Sequence, residues 1–151
     1  MNAIEVSHIV KRYRGNSVDA LSDISLSVRK GELFGLIGPD GAGKTTLFRI
    51  LTTVLEADSG DAVVDSFNVR SHMRDIRSRV GYMPGRFSLY YDLTVEENIR
   101  FFAQVFHTTL EENYSLIKDI YSLLEPFKNR RAGKLSGCLL YTSPSPRDAT
   151  L

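Results

Sequence analysis

The sequence predicts an α/β protein, and three observations carry that expectation. Two stretches of period-two alternation lie near the N-terminus, a glycine loop sits between an apolar run and an amphipathic helical stretch, and the periodicity beyond Pro84 is wholly helical. In AIEVSHIV, Ile4, Val6 and Val10 share one parity; in ISLSV, Ile24, Leu26 and Val28 alternate with Ser25 and Ser27. That alternation suits an antiparallel sheet with one wet face. After the turn RKGE, the continuous apolar run LFGLIG suits a strand buried on both faces, as parallel strands are. Over residues 44–55, Leu47, Ile50, Leu51 and Val54 recur at helical spacing, so one face of that helix packs on the sheet. AVVDSFNV reads as a further strand, SHMRDIRSR as a short basic helix, and VGYMP as a strand stopped by Pro84.

Past Pro84, Thr94 and Glu97 stand at capping-box spacing, ahead of an apolar stripe of Val95, Ile99, Phe102 and Phe106. A second helix is expected from about residue 110 to residue 125, with Leu116, Ile117, Ile120, Leu123 and Leu124 inward and Pro126 at or just beyond its end.

The totals say less about function than the pattern does. A formal charge of +1 gives no electrostatic ground for nucleic acid or an anionic membrane as partner. No apolar run approaches the roughly 20 residues that span a bilayer, and the start lacks a signal-peptide stretch, so a cytosolic location is expected. The single Cys excludes an internal disulfide framework and a multi-Cys zinc site. His8, His72 and His107 match no ligand pattern, and Arg70, Arg74, Arg77 and Arg79 read as a solvated helix face.

GPDGAGKTT carries the chemistry. It fits the phosphate-binding spacing of Gly, four residues, Gly, Lys, then Ser or Thr. Gly38, Gly41 and Gly43, with Asp40 and Ala42 between them, let successive backbone N–H groups curl around a triphosphate without Cβ clashes. The helix N-terminus adds partial positive charge. Lys44 is expected to reach the β and γ phosphates, Thr45 to place its hydroxyl on Mg²⁺, and Thr46 to donate to a phosphate.

Residues 4–137 resemble the N-terminal part of the ATP-binding cassette, the motor domain of ABC transporters. The likeness rests on four stretches in order: VKRYRGNSVDALSDISLSVRKGELF, the glycine loop, RVGYMPGRFSLYYDLTVEENIRFF, and KLSG. It implies a P-loop NTPase with a RecA-like core, an antiparallel β subdomain and a helical subdomain, the C-terminal part of the core being absent. Residues 1–84 would form the core portion and residues 85–137 the helical subdomain up to the signature motif. The resemblance gives Tyr13 the role of stacking on adenine; a half-buried aromatic at a strand end is the other reading of that residue. Ser136 and Gly137, with Leu135 the start of Leu-Ser-Gly-Gly, would grip the γ phosphate of ATP held by a second cassette in a two-fold dimer. The implied partners are a transmembrane permease subunit and that second cassette, homo- or heterodimeric. The implied location is peripheral, on the inner face of the cell membrane, and the family's texture points to an exporter of drug or polysaccharide type.

Two departures bear on this reading. After GYMP the family places a Gln that approaches Mg²⁺ and the attacking water, whereas Gly85 stands here. A poorly hydrolysing regulatory cassette and an active variant both fit, as does a soluble ABC-type ATPase acting on ribosomes or DNA in place of a permease. Arg86, Phe87 and Tyr90 in the same loop would meet the permease or be ordinary surface and core. From Cys138, CLLYTSPSPRD resembles a translated sequencing-library adapter, so residues 138–151 are expected to be non-native; a divergent Pro/Ser-rich C-terminus is the other reading. The hydrolytic Glu and switch His of the family have no counterpart, and a chain ending at Gly137 would lack strands to flank the glycine-loop strand and would not fold stably alone.

Overall fold

The computed structural model describes residues 1–83 and 89–135. The chain divides into two compact units with the break after Met83. The first is built on an antiparallel sheet. β1 (Asn2–Lys11), β2 (Leu21–Arg29), β3 (Ser59–Val64) and β4 (Phe67–Asn68) lie in the order β2-β1-β3-β4. Ile4 pairs with Val28 on one side and Val64 on the other, and Val6 with Leu26 and Ala62.

The parity expected of β1 breaks at His8. Four β1 residues, Val6 to Ile9, oppose three on β2, Leu26 to Ile24, and the same one-residue slip occurs against β3. His8 has φ 53° in this bulge, which moves the strand's later apolar residues by one position. Ile9, at 0% exposure, therefore enters the core in place of Val10. Gly60 makes the bulge possible from the β3 side: it has φ +79°, and a Cβ there would come 2.1 Å from the His8 carbonyl oxygen.

AVVDSFNV forms a hairpin where a single strand was expected. Asp65 and Ser66 both have positive φ, 48° and 71°, as a tight two-residue turn demands, and Val64 pairs with Phe67 across it. α1 (Lys44–Leu51) places Leu47, Ile50 and Leu51 into the core with Val6, Ile9, Leu21, Ala62 and Val64. It stops four residues short of the expected end. Thr53 takes φ 60°, its N–H reaching the Ile50 carbonyl while that of Val54 reaches Arg49, so the helix closes in a Schellman motif and Val54 is turned out to solvent. Arg77, at the end of α2 (Met73–Arg77), secures the strained residue. Its Nε and Nη2 donate to the Thr53 Oγ1 and carbonyl oxygen, both at 2.7 Å.

Two expected strands do not form among the described residues. Residues 33–38 and 80–83 form no ladder, and Leu33, Phe34, Ile37 and Met83 are exposed. A strand exists only through its neighbours, and among the described residues none runs beside either stretch.

In the second unit, α3 (Val95–Val105) begins at Thr94 with both arms of the capping box made, as its spacing foretold. α4 (Leu110–Leu124) has a second box, Thr109 with Glu112. Ile99, Phe102 and Phe106 face Ile117 and Leu124 across an apolar groove of about 340 Å³. Leu116, Ile120 and Leu123, expected inward, are exposed, while Tyr121 is buried and meets Tyr114 edge-on at 6.0 Å. Pro126 falls in a 3₁₀ turn, Glu125–Phe127, that follows α4 directly. Asn98, 2% exposed, ties the unit together. Its Nδ2 donates to the carbonyls of Tyr90 (3.0 Å), Leu93 (3.3 Å) and Thr94 (3.0 Å), and its Oδ1 accepts from the Tyr90 N–H at 2.9 Å.

Candidate functional site

The glycine loop, residues 38–43, turns because two of its glycines occupy the left-handed region. Gly41 and Gly43 both have φ +82°, and the Ala42 N–H donates to the Pro39 carbonyl at 3.3 Å. Gly43 is also the N-cap of α1, with no side chain capping the first turn, so the helix presents open N–H donors toward the loop. Space fixes Gly43 as firmly as backbone angle does. A Cβ there would lie 2.2 Å from the Ala20 carbonyl oxygen and 2.7 Å from Leu21 Cδ2, so the loop is seated directly on the start of β2. Gly38, by contrast, would meet only Ala42, at an ordinary 3.6 Å.

Lys44 folds over this turn. Its Nζ donates to the Gly38 and Pro39 carbonyls, both at 2.6 Å, which puts the cation at the mouth of the loop. Thr45 and Asp40 are exposed, whereas Thr46 is buried. The Tyr13 hydroxyl lies 3.2 Å from Thr46 Oγ1, so the residue singled out as an adenine platform reaches the phosphate-loop helix. Thr46 can accept from Tyr13 and still direct its own hydrogen elsewhere.

Residues 12–20, which carry Tyr13 between β1 and β2, are held by charge. Arg12 Nε donates to Asp19 Oδ1 at 2.5 Å; the Arg12 N–H and Lys11 Nζ donate to the two Asp58 oxygens, each at 2.7 Å. Asp19 raises the Arg12 guanidinium above its ordinary pKa, and the Arg12 N–H, then Lys11, hold the Asp58 carboxyl below the usual carboxylate range. Sequence reasoning passed over Arg12, Asp19 and Asp58. A seven-residue separation inside a loop matches no period, and Asp58 lies far away in sequence.

The other expectations divide. Ser136 and Gly137 lie outside the described residues, as do Gly85, Arg86 and Phe87. Tyr90 is half-exposed and packs edge-on against Phe101 at 5.0 Å. The four arginines expected on a solvated helix face do not form one, for Arg70 and Arg79 lie outside α2. Arg77 holds Thr53, Arg70 donates to the Ala57 carbonyl at 3.0 Å, and Arg79 pairs with Asp65 at 3.0 Å while lying over the Phe67 ring. His8 pairs with Asp23 at 2.6 Å and His72 with Ser71 at 2.8 Å. Among the described residues no group of three or more His, Cys, Asp or Glu side chains is placed to hold a metal ion.

A family model described as ABC transporter matches residues 21–138. The chain is 39% identical over 136 residues to the probable multidrug ABC transporter ATP-binding protein YbhF of Escherichia coli (strain K12), covering 89% of this chain and 24% of that protein. It is 33% identical over 122 residues to the ABC transporter ATP-binding protein NatA of Bacillus subtilis (strain 168), covering 79% and 50%. It is 35% identical over 136 residues to the Nod factor export ATP-binding protein I of Burkholderia pseudomallei (strain 1710b), covering 89% and 44%. The chain thus spans between about a quarter and a half of the length of these relatives. Among solved structures, a dimeric ATP-binding cassette in a post-hydrolysis state bound to ADP and Pi superposes with a TM-score of 0.75 at 22% identity, over 90% of this chain and 64% of that one. That likeness shows the fold: an α/β P-loop NTPase cassette, of which the described residues supply the antiparallel sheet, the loop-bearing helix and the helical hairpin.

Proposed function

Because the chain belongs to the ABC transporter family, we propose that its glycine loop binds MgATP and that the protein it represents is the ATP-binding subunit of a transporter, coupling MgATP binding and hydrolysis to transport by a membrane permease. The observation that carries the reading is the joint geometry of the loop. Gly41 and Gly43 turn the backbone in the left-handed region into the uncapped first turn of α1, Lys44 Nζ stands over the mouth of the turn, and Tyr13 touches the same helix through Thr46.

Each residue then has a task that its chemistry fits. The open N–H groups at the start of α1 and the Lys44 cation bind phosphate oxygens. Lys44 would exchange its two loop carbonyls for those oxygens, a neutral acceptor for an anionic one. Thr46, accepting from Tyr13, donates its own hydrogen to a phosphate. The Tyr13 ring offers a face for the adenine. The exposed Thr45 hydroxyl is a hard oxygen donor of the kind Mg²⁺ takes, and with phosphate oxygens it makes a fitting partial shell. Bound there, Mg²⁺ would supply neutralisation of charge on the phosphates. Ser136 and Gly137 are proposed to contact the γ phosphate held by a second cassette, homo- or heterodimeric. No helix among the described residues is long and apolar enough to cross a membrane; the proposed place is peripheral, on the inner face, against the permease. The names of the relatives, multidrug transport and Nod factor export, favour an exporter.

Titrating MgATP into the full-length protein that this chain represents and into its Lys44→Ala variant tests the reading. Loss of charge-assisted hydrogen bonds from one cation is expected to weaken binding by about ten- to a hundredfold with the circular dichroism unchanged. Equal affinity in the two proteins would refute it. Gly85 favours a second reading, a cassette that binds ATP without turning it over, since glycine has no side-chain carbonyl for the attacking water. Robust ATP turnover that Gly85→Gln leaves unchanged removes that second reading.

A further inference from the structure

Tyr13 stands in an exposed loop, and a stacking platform is useful only if it is held in place. Residues 12–19 project beyond the last rung of the β1–β2 ladder, Lys11 with Leu21, and the backbone bond from the Ala20 N–H to the Lys11 carbonyl at 2.7 Å closes their base. Beyond that base, the Asn16 N–H turns onto the Tyr13 carbonyl at 3.1 Å, and Gly15 reverses the chain with φ +87°. The residue next to Tyr13 is gripped at both of its ends. The Arg12 N–H is bound by Asp58, which Lys11 also holds, and the Arg12 guanidinium is bound by Asp19 from the returning side of the loop. Asp19 is three-quarters shielded while Arg12 is more than half exposed, so the pair closes the loop at its rim.

We propose that the Arg12–Asp19 pair, with Asp58 fixing the Arg12 main chain, is a clamp that positions Tyr13 for the base of a bound nucleotide. The inference rests on the reading of Tyr13 as the base platform. Arg12, Asp19 and Asp58 are positioning residues, acting through Tyr13 and touching neither base nor phosphate. The clamp therefore affects ligands that carry a base and leaves a bare polyphosphate alone, because the glycine loop and Lys44 make no use of it.

The test compares MgATP with inorganic tripolyphosphate and Mg²⁺ as ligands of the full-length protein that this chain represents and of its Arg12→Ala, Asp19→Ala, double and Tyr13→Ala variants. Each single clamp variant is expected to weaken MgATP by about two- to fivefold, the scale of an exposed ion pair. Tripolyphosphate affinity stays unchanged, and the double variant is no weaker than either single one, since both remove the same interaction. In a Tyr13→Ala background Arg12→Ala has no further effect. If Tyr13→Ala weakens MgATP but the clamp variants do not, the clamp is overturned and the base platform stands. If Tyr13→Ala leaves MgATP unchanged, the base platform falls and the clamp with it. Equal weakening of both ligands makes the pair a support of the fold alone and overturns the proposal.

Discussion

Two glycines of the phosphate loop share one backbone angle and differ in their surroundings, which makes them a matched pair for experiment. Gly41 and Gly43 both have φ +82°. At Gly41 a Cβ meets nothing within 4 Å, whereas at Gly43 it falls 2.2 Å from the Ala20 carbonyl oxygen, 2.7 Å from Leu21 Cδ2 and 3.3 Å from the Ala20 carbonyl carbon. Gly41→Ala carries the left-handed penalty of about 1–2 kcal/mol for an L residue, offset by about 0.4–1 kcal/mol from the stiffer unfolded chain. A net loss of about 1 kcal/mol follows. Gly43→Ala carries the same terms, and Ala20 must also move by about 1 Å to reach ordinary contact. Leu21, 4% exposed and paired with Lys11, resists that shift. Overpacking of this kind adds about 1–3 kcal/mol, for a total of about 2–4 kcal/mol. Urea denaturation of the two variants of the full-length protein that this chain represents, with equal m values, reads the difference directly. Equal destabilisation would show that the loop is not seated on β2.

Asn98→Ala, which strips the Tyr90 N–H and three carbonyls of a partner and leaves a void, should destabilise the second unit by about 3 kcal/mol; a loss under about 0.5 kcal/mol in the same denaturation experiment would contradict the assigned network. Acid should unfold the protein in part through Glu97 and Asp58. The Glu97 carboxyl is held low by the Thr94 N–H and hydroxyl, and Asp58 by the Arg12 N–H and Lys11. Both folded values lie below the unfolded ones, so their stabilisation is present above about pH 4 and is lost as pH falls through the lower folded values. Glu97→Gln should flatten that part of the urea-midpoint profile between neutral and acid pH, and an unchanged slope would refute the assignment.

What the sequence made legible was local. Thr94 and Glu97 announce α3 because a capping box is completed within four residues, and Leu47, Ile50 and Leu51 mark the buried face of α1 because helical periodicity needs no distant partner. Gly41, Gly43 and Lys44 were readable for the same reason. The remainder depended on contacts far apart in the chain. Residues 33–38 have a strand's composition, yet a ladder requires a neighbour that composition does not supply. The bulge at His8 depends on Gly60, fifty-two residues on, and the early end of α1 depends on a left-handed Thr53 held by Arg77. Asn98 hid inside an apolar stripe as a polar letter, though its four bonds set the turn before α3. The charges around Tyr13 were visible as residues and invisible as a group, since Asp58 joins Arg12 only in the folded sheet.

The central claim is that the loop of residues 38–46 is a nucleotide site whose backbone takes the phosphates while Tyr13 takes the base. NMR of the ¹³C,¹⁵N-labelled full-length protein that this chain represents, titrated with MgATP, addresses it most directly. The account predicts that the Gly41, Gly43, Lys44 and Thr45 amide resonances shift together with saturation, that the Tyr13 ring resonances follow them, and that tripolyphosphate reproduces the loop shifts without those of the ring. Saturable MgATP binding that leaves the amides of Gly41, Gly43 and Lys44 unmoved would contradict it.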